Sequence, residues 1–261
     1  MTGQMMNVGA GFSQAQIRTL AKAKGIDLNH LPSKEELDRR TIDMAKQKLI
    51  KQKQHWFKHE SLYSGNIKLE FTFADWKPEL QEDTDQAKVI GNRAFKLAKQ
   101  LSNGDEFNVV LLGTPGVGKT SLALAILDQL SQASKTTMFV STAELLKLIN
   151  DKYEDKSLIS KIAEIKRAMT DADALVLDDF GTEGGLKFNP VHKDMQELMY
   201  QVSNARVDFK NNRAKGSTII TTNNTKSQLK LMYEPKFIDR VFPDNPDHQL
   251  IFSDMKGVRN V

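Results

Sequence analysis

The stretch VVLLGTPGVGKT, residues 109–120, places a glycine-rich loop between an apolar run and a helical pattern. Its last eight residues match GxxxxGK(S/T) in full, and a preceding strand and a following helix are the context that this pattern requires. The glycines let backbone N–H groups turn toward a phosphate, and the new helix adds the positive end of its dipole. Lys119 supplies a cation for the β- and γ-phosphates, and the Thr120 hydroxyl is a ligand for Mg²⁺. The sequence therefore predicts a site for ATP and Mg²⁺.

The predicted nucleotide-binding residues are those of the loop and the first helical residue after it. They are Gly113, Thr114, Pro115, Gly116, Val117, Gly118, Lys119, Thr120 and Ser121.

Two further apolar runs end in polar residues. Ala174–Leu177 is followed by Asp178 and Asp179, and the run from Ser217 to Thr222 is followed by Asn223. Because ligands bind beside the carboxyl ends of parallel strands, we expect these side chains to meet the phosphate loop. Asp178 would hold Mg²⁺, mostly through water, and Asp179 would orient the attacking water.

Asn223 would contact the γ-phosphate or that water. The alternatives are an ordinary acidic turn at the aspartates and a turn or capping role for Asn223.

Strand and helix patterns alternate from Asn108 onward. This predicts an α/β fold with a parallel five-stranded sheet covered by helices on both faces. The predicted strands are 109–112, 136–140, 174–177, 217–222 and 249–252. The predicted helices are 119–132, 143–151, 157–170 and about 191–209.

The first 60 residues are polar and helical in pattern. Ser33 and Glu36 form a capping-box pair, so a helix is expected to begin near Lys34. Lysines are frequent from 46 to 58, around Trp56. This stretch is either a contact for DNA phosphates or an acidic protein surface, or a solvated helix face with one buried aromatic ring.

Composition excludes several classes of site. The chain of 261 residues has no cysteine, so disulfides, thiolate catalysis and cysteine-based zinc sites are excluded. The longest apolar runs are too short to cross a bilayer. We expect a cytoplasmic protein without a membrane partner. A net charge of +4 mildly favours a polyanionic partner.

Together these motifs resemble the DnaC/DnaI/IstB group of AAA+ ATPases, the bacterial and phage replicative-helicase loaders and their transposition relatives. The resemblance covers roughly residues 70–261. Besides the two motifs above, it is carried by YQVSNAR (200–206), STIITTNN (217–224), FIDRV (237–241) and MKGVRN (255–260).

The resemblance implies an ATPase domain at 67–261 and a small helical, helicase-binding segment at 1–66. It also implies that Asn223 is a first sensor residue, Arg240 an arginine finger acting on a neighbouring subunit, and Arg259 a second sensor beside the nucleotide. Few residues follow the last strand, so a full C-terminal lid is not expected.

The implied function is ATP-dependent loading of a DnaB-type ring helicase onto single-stranded DNA at the start of replication, with ATP-driven self-association. The alternative is an IstB-like transposition helper that acts on duplex DNA with a transposase.

Overall fold

The structure is a computed structural model and describes residues 18–19, 22–23, 33–185, 187–253, 255 and 257. Its longer helices are α1 (Lys34–Glu60), α2 (Thr84–Ser102), α3 (Lys119–Gln132), α4 (Thr142–Asp151), α5 (Leu158–Asp171), α6 (Lys193–Ala205), α7 (Lys226–Met232) and α8 (Pro235–Val241). The strands are β1 (Val109–Gly113), β2 (Thr137–Ser141), β3 (Ala174–Asp178), β4 (Val207–Asp208), β5 (Arg213–Ala214), β6 (Ser217–Thr222) and β7 (Gln249–Phe252). Within this part of the chain, no helix is both long enough and apolar enough to cross a membrane.

Five strands form one parallel sheet in the order β2-β3-β6-β1-β7. The prediction of a parallel five-stranded sheet is confirmed. The strands β1, β3 and β6, which end at the predicted site, lie next to one another in the middle of the sheet. Their carboxyl ends therefore present the phosphate loop, Asp178 and Asn223 along one edge.

Helices cover both faces of the sheet, as the near-continuous apolar strands require. One core cluster contains side chains of α4, α5, α6 and α8, and the other contains side chains of α2 and α3. The strands contribute alternate residues to the two clusters: Val110 packs into the first, whereas Val109 and Leu111 pack into the second.

The chain divides into two compact units, residues 1–49 and 50–261. In the second unit, Phe57 is buried in the core with a relative exposure of 5%. Leu62 donates its N–H to the Phe139 carbonyl and accepts the Ser141 N–H, both at 2.8 Å, so it extends the sheet at the edge of β2. The compact unit thus begins at Ile50, before the boundary that the sequence placed at 66/67, because residues 50–66 carry these anchoring contacts.

The lysine-rich stretch includes the last residues of α1. Phe57, rather than Trp56, is the fully buried ring there, and Trp56 is partly buried against the same cluster. Lys51, Lys53 and Lys58 are exposed. This arrangement agrees with the solvated-face interpretation for residues 50–58.

The helix predicted over about 191–209 is wrong at its C-terminal end. Helix α6 stops at Ala205, and an antiparallel hairpin of β4 and β5 follows. The Asp208 carboxylate accepts the backbone N–H groups of Lys210 and Asn211, which closes the turn. Asn212 adopts φ +49°, a conformation that asparagine tolerates better than most residues. Turn chemistry in the DFKNNR stretch therefore overrides the helical pattern.

Arg206 lies at the junction between α6 and this hairpin, and it is buried. Its guanidinium donates to the carbonyls of Met169, Ala172 and Ser217 at 2.6–3.0 Å. Burial lowers the pKa of Arg206 to about 10. The residue joins the end of α5 to the start of β6 and has a structural role inside the domain.

Candidate nucleotide site

The phosphate loop runs from the end of β1 to the start of α3. Gly118 precedes the helix with φ +97°, a conformation that side chains rarely adopt. A Cβ atom at Gly118 would also lie 2.7 Å from the Trp76 ring. Glycine is therefore required here for two reasons: the backbone must turn, and a tryptophan from the preceding linker packs against the loop.

Lys119 is almost fully buried, with a relative exposure of 5%. Its ammonium donates to the Gly113 carbonyl at 2.9 Å, to the Thr114 carbonyl at 2.8 Å and to the Asn223 amide oxygen at 2.7 Å. A buried ammonium needs such acceptors because it has lost water. The cation is thereby fixed between the phosphate loop and the end of β6.

Asp178, at the end of β3, is buried with a relative exposure of 4%. One carboxylate oxygen accepts the Thr120 hydroxyl at 2.9 Å and the Thr221 hydroxyl at 2.7 Å. Burial raises the pKa of Asp178, while these two hydrogen bonds and the charge of Lys119 oppose the rise. The carboxylate is thus fixed directly beside the predicted Mg²⁺ ligand Thr120.

Asp179 follows the strand and is exposed. Its backbone has φ +53°, which is unusual for a residue with a side chain. Two contacts with β6 hold this turn: the Asp179 N–H donates to the Thr221 hydroxyl, and the Phe180 N–H donates to the Thr221 carbonyl, both at 2.9 Å. The turn directs Asp179 away from the strand axis, in contrast to the buried Asp178.

A cavity of about 320 Å³ lies over the loop. Its lining joins residues of the phosphate loop to residues that follow β3 and β6: Pro115, Gly116, Gly118, Lys119, Thr120, Ser121, Asp179, Thr182 and Asn223. Most of the predicted site residues therefore share one cavity, and Asp178 lies beneath it through its bond to Thr120.

Three of the predicted loop residues make other contacts. A Cβ atom at Gly113 would lie 2.7 Å from that of Phe252, so this glycine allows β7 to approach. The Val117 side chain is buried in the core. The Thr114 hydroxyl donates to the Met255 carbonyl at 3.3 Å. Their contribution to nucleotide binding would come from the backbone.

Residues 20–244 match the family model described as IstB-like ATP binding protein. This match covers most of the chain. The chain belongs to the IstB-like ATP-binding family.

Curated relatives of this IstB-like chain include helicase loaders and ATP-binding proteins of insertion sequences. The replicative helicase loader DnaC of Escherichia coli (strain K12) is 22% identical over 53% of this chain and 51% of its own length. An ATP-binding protein assigned to insertion sequence IS232 of Bacillus thuringiensis subsp. berliner is 24% identical over 67% of this chain and 62% of its own length. The chain thus spans about half to three-fifths of these relatives.

Among solved structures, DnaA from Aquifex aeolicus bound to AMPPCP matches with a TM-score of 0.50 and 14% identity. The match covers 67% of this chain and 49% of that chain. At this identity the likeness concerns the fold alone. This IstB-like chain therefore shares with DnaA the fold of a parallel sheet flanked by helices.

The structure does not bring Arg240 to the cavity of its own chain. The Arg240 guanidinium lies over the Tyr200 ring, 5.0 Å from its centroid, and 5.8 Å from that of Phe209. The Arg240 carbonyl accepts the Asn108 side chain at 2.8 Å, at the amino end of β1. Strand β1 has five residues, so its two ends lie roughly 15 Å apart. Arg259 lies outside the described residues.

Sequence reasoning missed two residues that shape this IstB-like site. Thr221 contacts both aspartates, through its hydroxyl to the Asp178 carboxylate and to the Asp179 N–H. The Glu183 carboxylate accepts the Gly181 N–H at 2.7 Å and so closes the turn after Asp179. A threonine inside an apolar strand could have indicated the first, because a buried hydroxyl requires a partner. No sequence pattern indicated the second.

The donor set at Thr120 and Asp178 fits Mg²⁺. One hydroxyl oxygen and one carboxylate oxygen lie 2.9 Å apart, and both are hard oxygen ligands. Within the described residues no group of three or more His, Asp or Glu side chains is placed to hold a metal. A magnesium ion usually takes one or two carboxylates together with substrate phosphates, so the small protein donor set agrees with an ion that arrives with its nucleotide.

Proposed function

We propose that this chain binds ATP and Mg²⁺ in the cavity over the phosphate loop and hydrolyses the β–γ bond. The observation that carries the proposal is the Lys119–Asn223 hydrogen bond of 2.7 Å, because it places a cation and a polar sensor at the same point of the cavity. The phosphate loop would bind the nucleotide through its backbone N–H groups. The Lys119 ammonium would then give up its hydrogen bonds to protein acceptors and donate to the β- and γ-phosphate oxygens instead.

Asp179 is the group that would act on water. Its side chain is exposed at the cavity, in contrast to Asp178. The Thr221 hydroxyl accepts the Asp179 N–H and so holds the backbone from which this carboxylate extends. It would accept a hydrogen bond from the attacking water and orient it toward the γ-phosphate. Asn223 would contact the γ-phosphate, and because it directly follows β6, this contact would connect the nucleotide to that strand.

Thr120 and Asp178 would hold Mg²⁺. When bound, the ion neutralises charge on the β- and γ-phosphate oxygens. The Thr221 hydroxyl keeps the Asp178 carboxylate in place for this role.

At the level of the cell, we propose an ATP-controlled loader of a DnaB-type replicative ring helicase. It would bind the helicase through residues 1–66 and single-stranded DNA through the ATPase domain, and it would self-associate when ATP is bound. The similarity to the helicase loader DnaC supports this proposal.

The second candidate is a helper ATPase of transposition, which would bind duplex DNA and a transposase. The similarity to the protein assigned to insertion sequence IS232 favours it. The two candidates share the same ATPase chemistry and differ in their partners.

An affinity pull-down separates the two candidates. The tagged full-length chain is incubated with ATP and a purified DnaB-type helicase, or with ATP and fluorescent single-stranded or duplex DNA. A loader retains the helicase and prefers the single strand. Preference for duplex DNA without helicase retention would overturn the loader proposal. The Lys119→Ala variant is the control, because its ATP-dependent interactions should be lost.

A further inference from the structure

The hairpin formed by β4 and β5 does not line the nucleotide cavity. Its strands pair Val207 with Ala214 and Asp208 with Arg213. The Asp208 carboxylate also accepts the Asn211 side-chain amide at 2.6 Å, and these bonds lower the pKa of Asp208. The acid of the hairpin is therefore engaged in building the turn, which fixes the conformation of the residues around it.

Basic side chains dominate the exposed part of this hairpin. Lys210, Arg213 and Lys215 are exposed. Arg213 lies 3.3 Å from the Asp208 carboxylate, with 64% of its side chain exposed. In the described chain, the side chains of Lys210 and Lys215 form no hydrogen bond or ion pair. The hairpin thus presents cations that the fold itself does not use.

Acidic residues near the base of the hairpin are largely engaged elsewhere. Asp239 and Asp244 line the same groove as Arg213. Asp239 pairs with Lys226 and Lys230, and Asp244 pairs with Lys226. Glu106 accepts the Gly216 N–H at 3.2 Å. The positive charge of Lys210 and Lys215 is therefore left without a direct counter-charge.

The Phe209 ring is the second unusual feature, because 66% of the residue is exposed in the turn. A single exposed ring is ordinary, but this one belongs to a cluster. The Arg240 guanidinium lies 5.8 Å from its centroid and 5.0 Å from that of Tyr200. One guanidinium thus lies near two aromatic rings, and Lys210 follows Phe209 directly in the turn.

We propose that the hairpin Val207–Ala214 and the adjoining Lys215 bind single-stranded DNA, with Phe209 stacking on a base and Lys210 and Lys215 contacting phosphates. Exposed aromatic rings beside cations are the chemistry by which proteins bind single strands without reading sequence, because every base has a π-face. Duplex DNA offers phosphates but no unstacked base. This inference rests on the proposed function, since it assigns the residues for the DNA partner proposed there.

The test is fluorescence anisotropy with a fluorescein-labelled oligo(dT) strand, the full-length chain and ATP. Phe209→Ala should weaken binding by roughly 5- to 100-fold, since stacking on one ring contributes at this level, and Phe209→Trp should restore it. The double variant Lys210→Ala/Lys215→Ala should weaken binding and lower the slope of log affinity against log salt by about 0.7 for each lost phosphate contact. Leu231→Ala and Lys147→Ala, at exposed positions outside the hairpin, are the matched controls and should bind like the parent.

Three outcomes overturn the inference. The first is a Phe209→Ala variant that binds within twofold of the parent, which leaves the proposed loader function intact. The second is a parent chain that does not bind oligo(dT) at all, which also removes DNA from the proposed function. The third is a variant that loses DNA binding and also no longer self-associates with ATP, as measured by sedimentation velocity. That result would identify the hairpin as an interface between copies of this chain.

Discussion

The Lys119 ammonium donates a hydrogen bond of 2.7 Å to the Asn223 amide oxygen and so joins the phosphate loop to the end of β6. Asn223→Ala removes this acceptor but leaves the carbonyls of Gly113 and Thr114 on the ammonium. We expect ATP affinity to change less than tenfold, since most of the loop is untouched. We expect hydrolysis to slow by 10- to 100-fold, about 1.4 to 2.7 kcal/mol in the barrier.

Titration with a fluorescent ATP analogue and a phosphate-release assay measure the two effects. Asn150→Ala, which removes an exposed amide on α4, is the control. Lys119→Ala should show the opposite pattern, with ATP affinity itself strongly reduced. Unchanged turnover in Asn223→Ala would assign this side chain to the turn alone.

Asp179→Asn should leave ATP binding largely intact and slow hydrolysis by two or more orders of magnitude, on the order of 3 kcal/mol. The reason is that an amide does not accept the proton of the attacking water as a carboxylate does. Single-turnover phosphate release measures the chemical step. A turnover equal to that of the parent chain would remove Asp179 from this role.

Asp178→Asn should behave differently from Asp179→Asn, because Asp178 is buried beside Thr120 and Asp179 is exposed. This variant should lose the dependence of nucleotide affinity on Mg²⁺ concentration, whereas Asp179→Asn should retain it.

Phe57→Ala should lower the free energy of unfolding by about 3–5 kcal/mol, because it empties a buried site in the core. Urea unfolding followed by circular dichroism measures the change. Lys58→Ala, at the exposed neighbouring position, should be near neutral. For the same reason a fragment that begins at Ile67 should be less stable than one that begins at Ile50. Equal stability of the two fragments would support the boundary at 66/67.

Glu183→Gln should change the pH dependence of stability. Burial raises the pKa of the Glu183 carboxyl above 4.5. A carboxyl with a raised folded-state pKa stabilises the fold below about pH 4.5, and this contribution is lost as the pH rises through the folded-state pKa. Glutamine retains an oxygen for the Gly181 N–H and does not ionise. The melting temperature of the variant should therefore increase relative to that of the parent as the pH rises.

Thermal unfolding from about pH 5 to pH 8 measures this difference. The neighbouring Tyr233 hydroxyl is also buried and interacts with the Glu183 carboxyl, but no hydrogen bond of good geometry joins them. Tyr233→Phe should consequently be tolerated. A melting-temperature difference between Glu183→Gln and the parent that stays constant with pH would show that the carboxyl does not titrate in this range.

The sequence predicted those elements that depend on residues close together in the chain. The phosphate loop and the five strands followed from glycine spacing and apolar runs, and the structure places the loop between β1 and α3. That Asp178, Asp179 and Asn223 lie near the loop followed from the rule that parallel strands end at one edge. The strand order supports this, because β3, β6 and β1 are neighbours.

Contacts between distant residues could not be predicted in the same way. Arg206 ends the YQVSNAR motif, and it is buried against carbonyls from α5 and β6 that only the folded chain brings together. Trp76 lies in a linker, and its packing against Gly118 depends on the path of that linker over α2. Thr221 bonds to both aspartates only because β6 pairs with β3.

Arg240 lies near the amino end of β1 of its own chain, at the end of the sheet opposite the phosphate loop. Within the described residues its guanidinium contacts the Tyr200 and Phe209 rings, and one of its terminal nitrogens has no hydrogen-bond acceptor. That nitrogen is buried, so the guanidinium would have to leave the two rings to reach the γ-phosphate of a neighbouring subunit, where it would stabilise the transferring phosphoryl group. Arg240→Ala should therefore bind ATP normally and lose the hydrolysis that rises with protein concentration.

Mixing the variants separates a role in a neighbouring site from a role within the chain. An Arg240→Ala subunit retains its phosphate loop and lacks the arginine, whereas a Lys119→Ala subunit retains the arginine and lacks ATP affinity. If the arginine acts across an interface, the mixture should recover part of the activity that each variant lacks alone. The reason is that the intact phosphate loop of one variant can then meet the intact Arg240 of the other at the subunit interface. A chain that works as a monomer would show no such recovery. Normal hydrolysis by Arg240→Ala at every protein concentration, with helicase and DNA present, would instead make the stacking on Tyr200 the whole role of this residue.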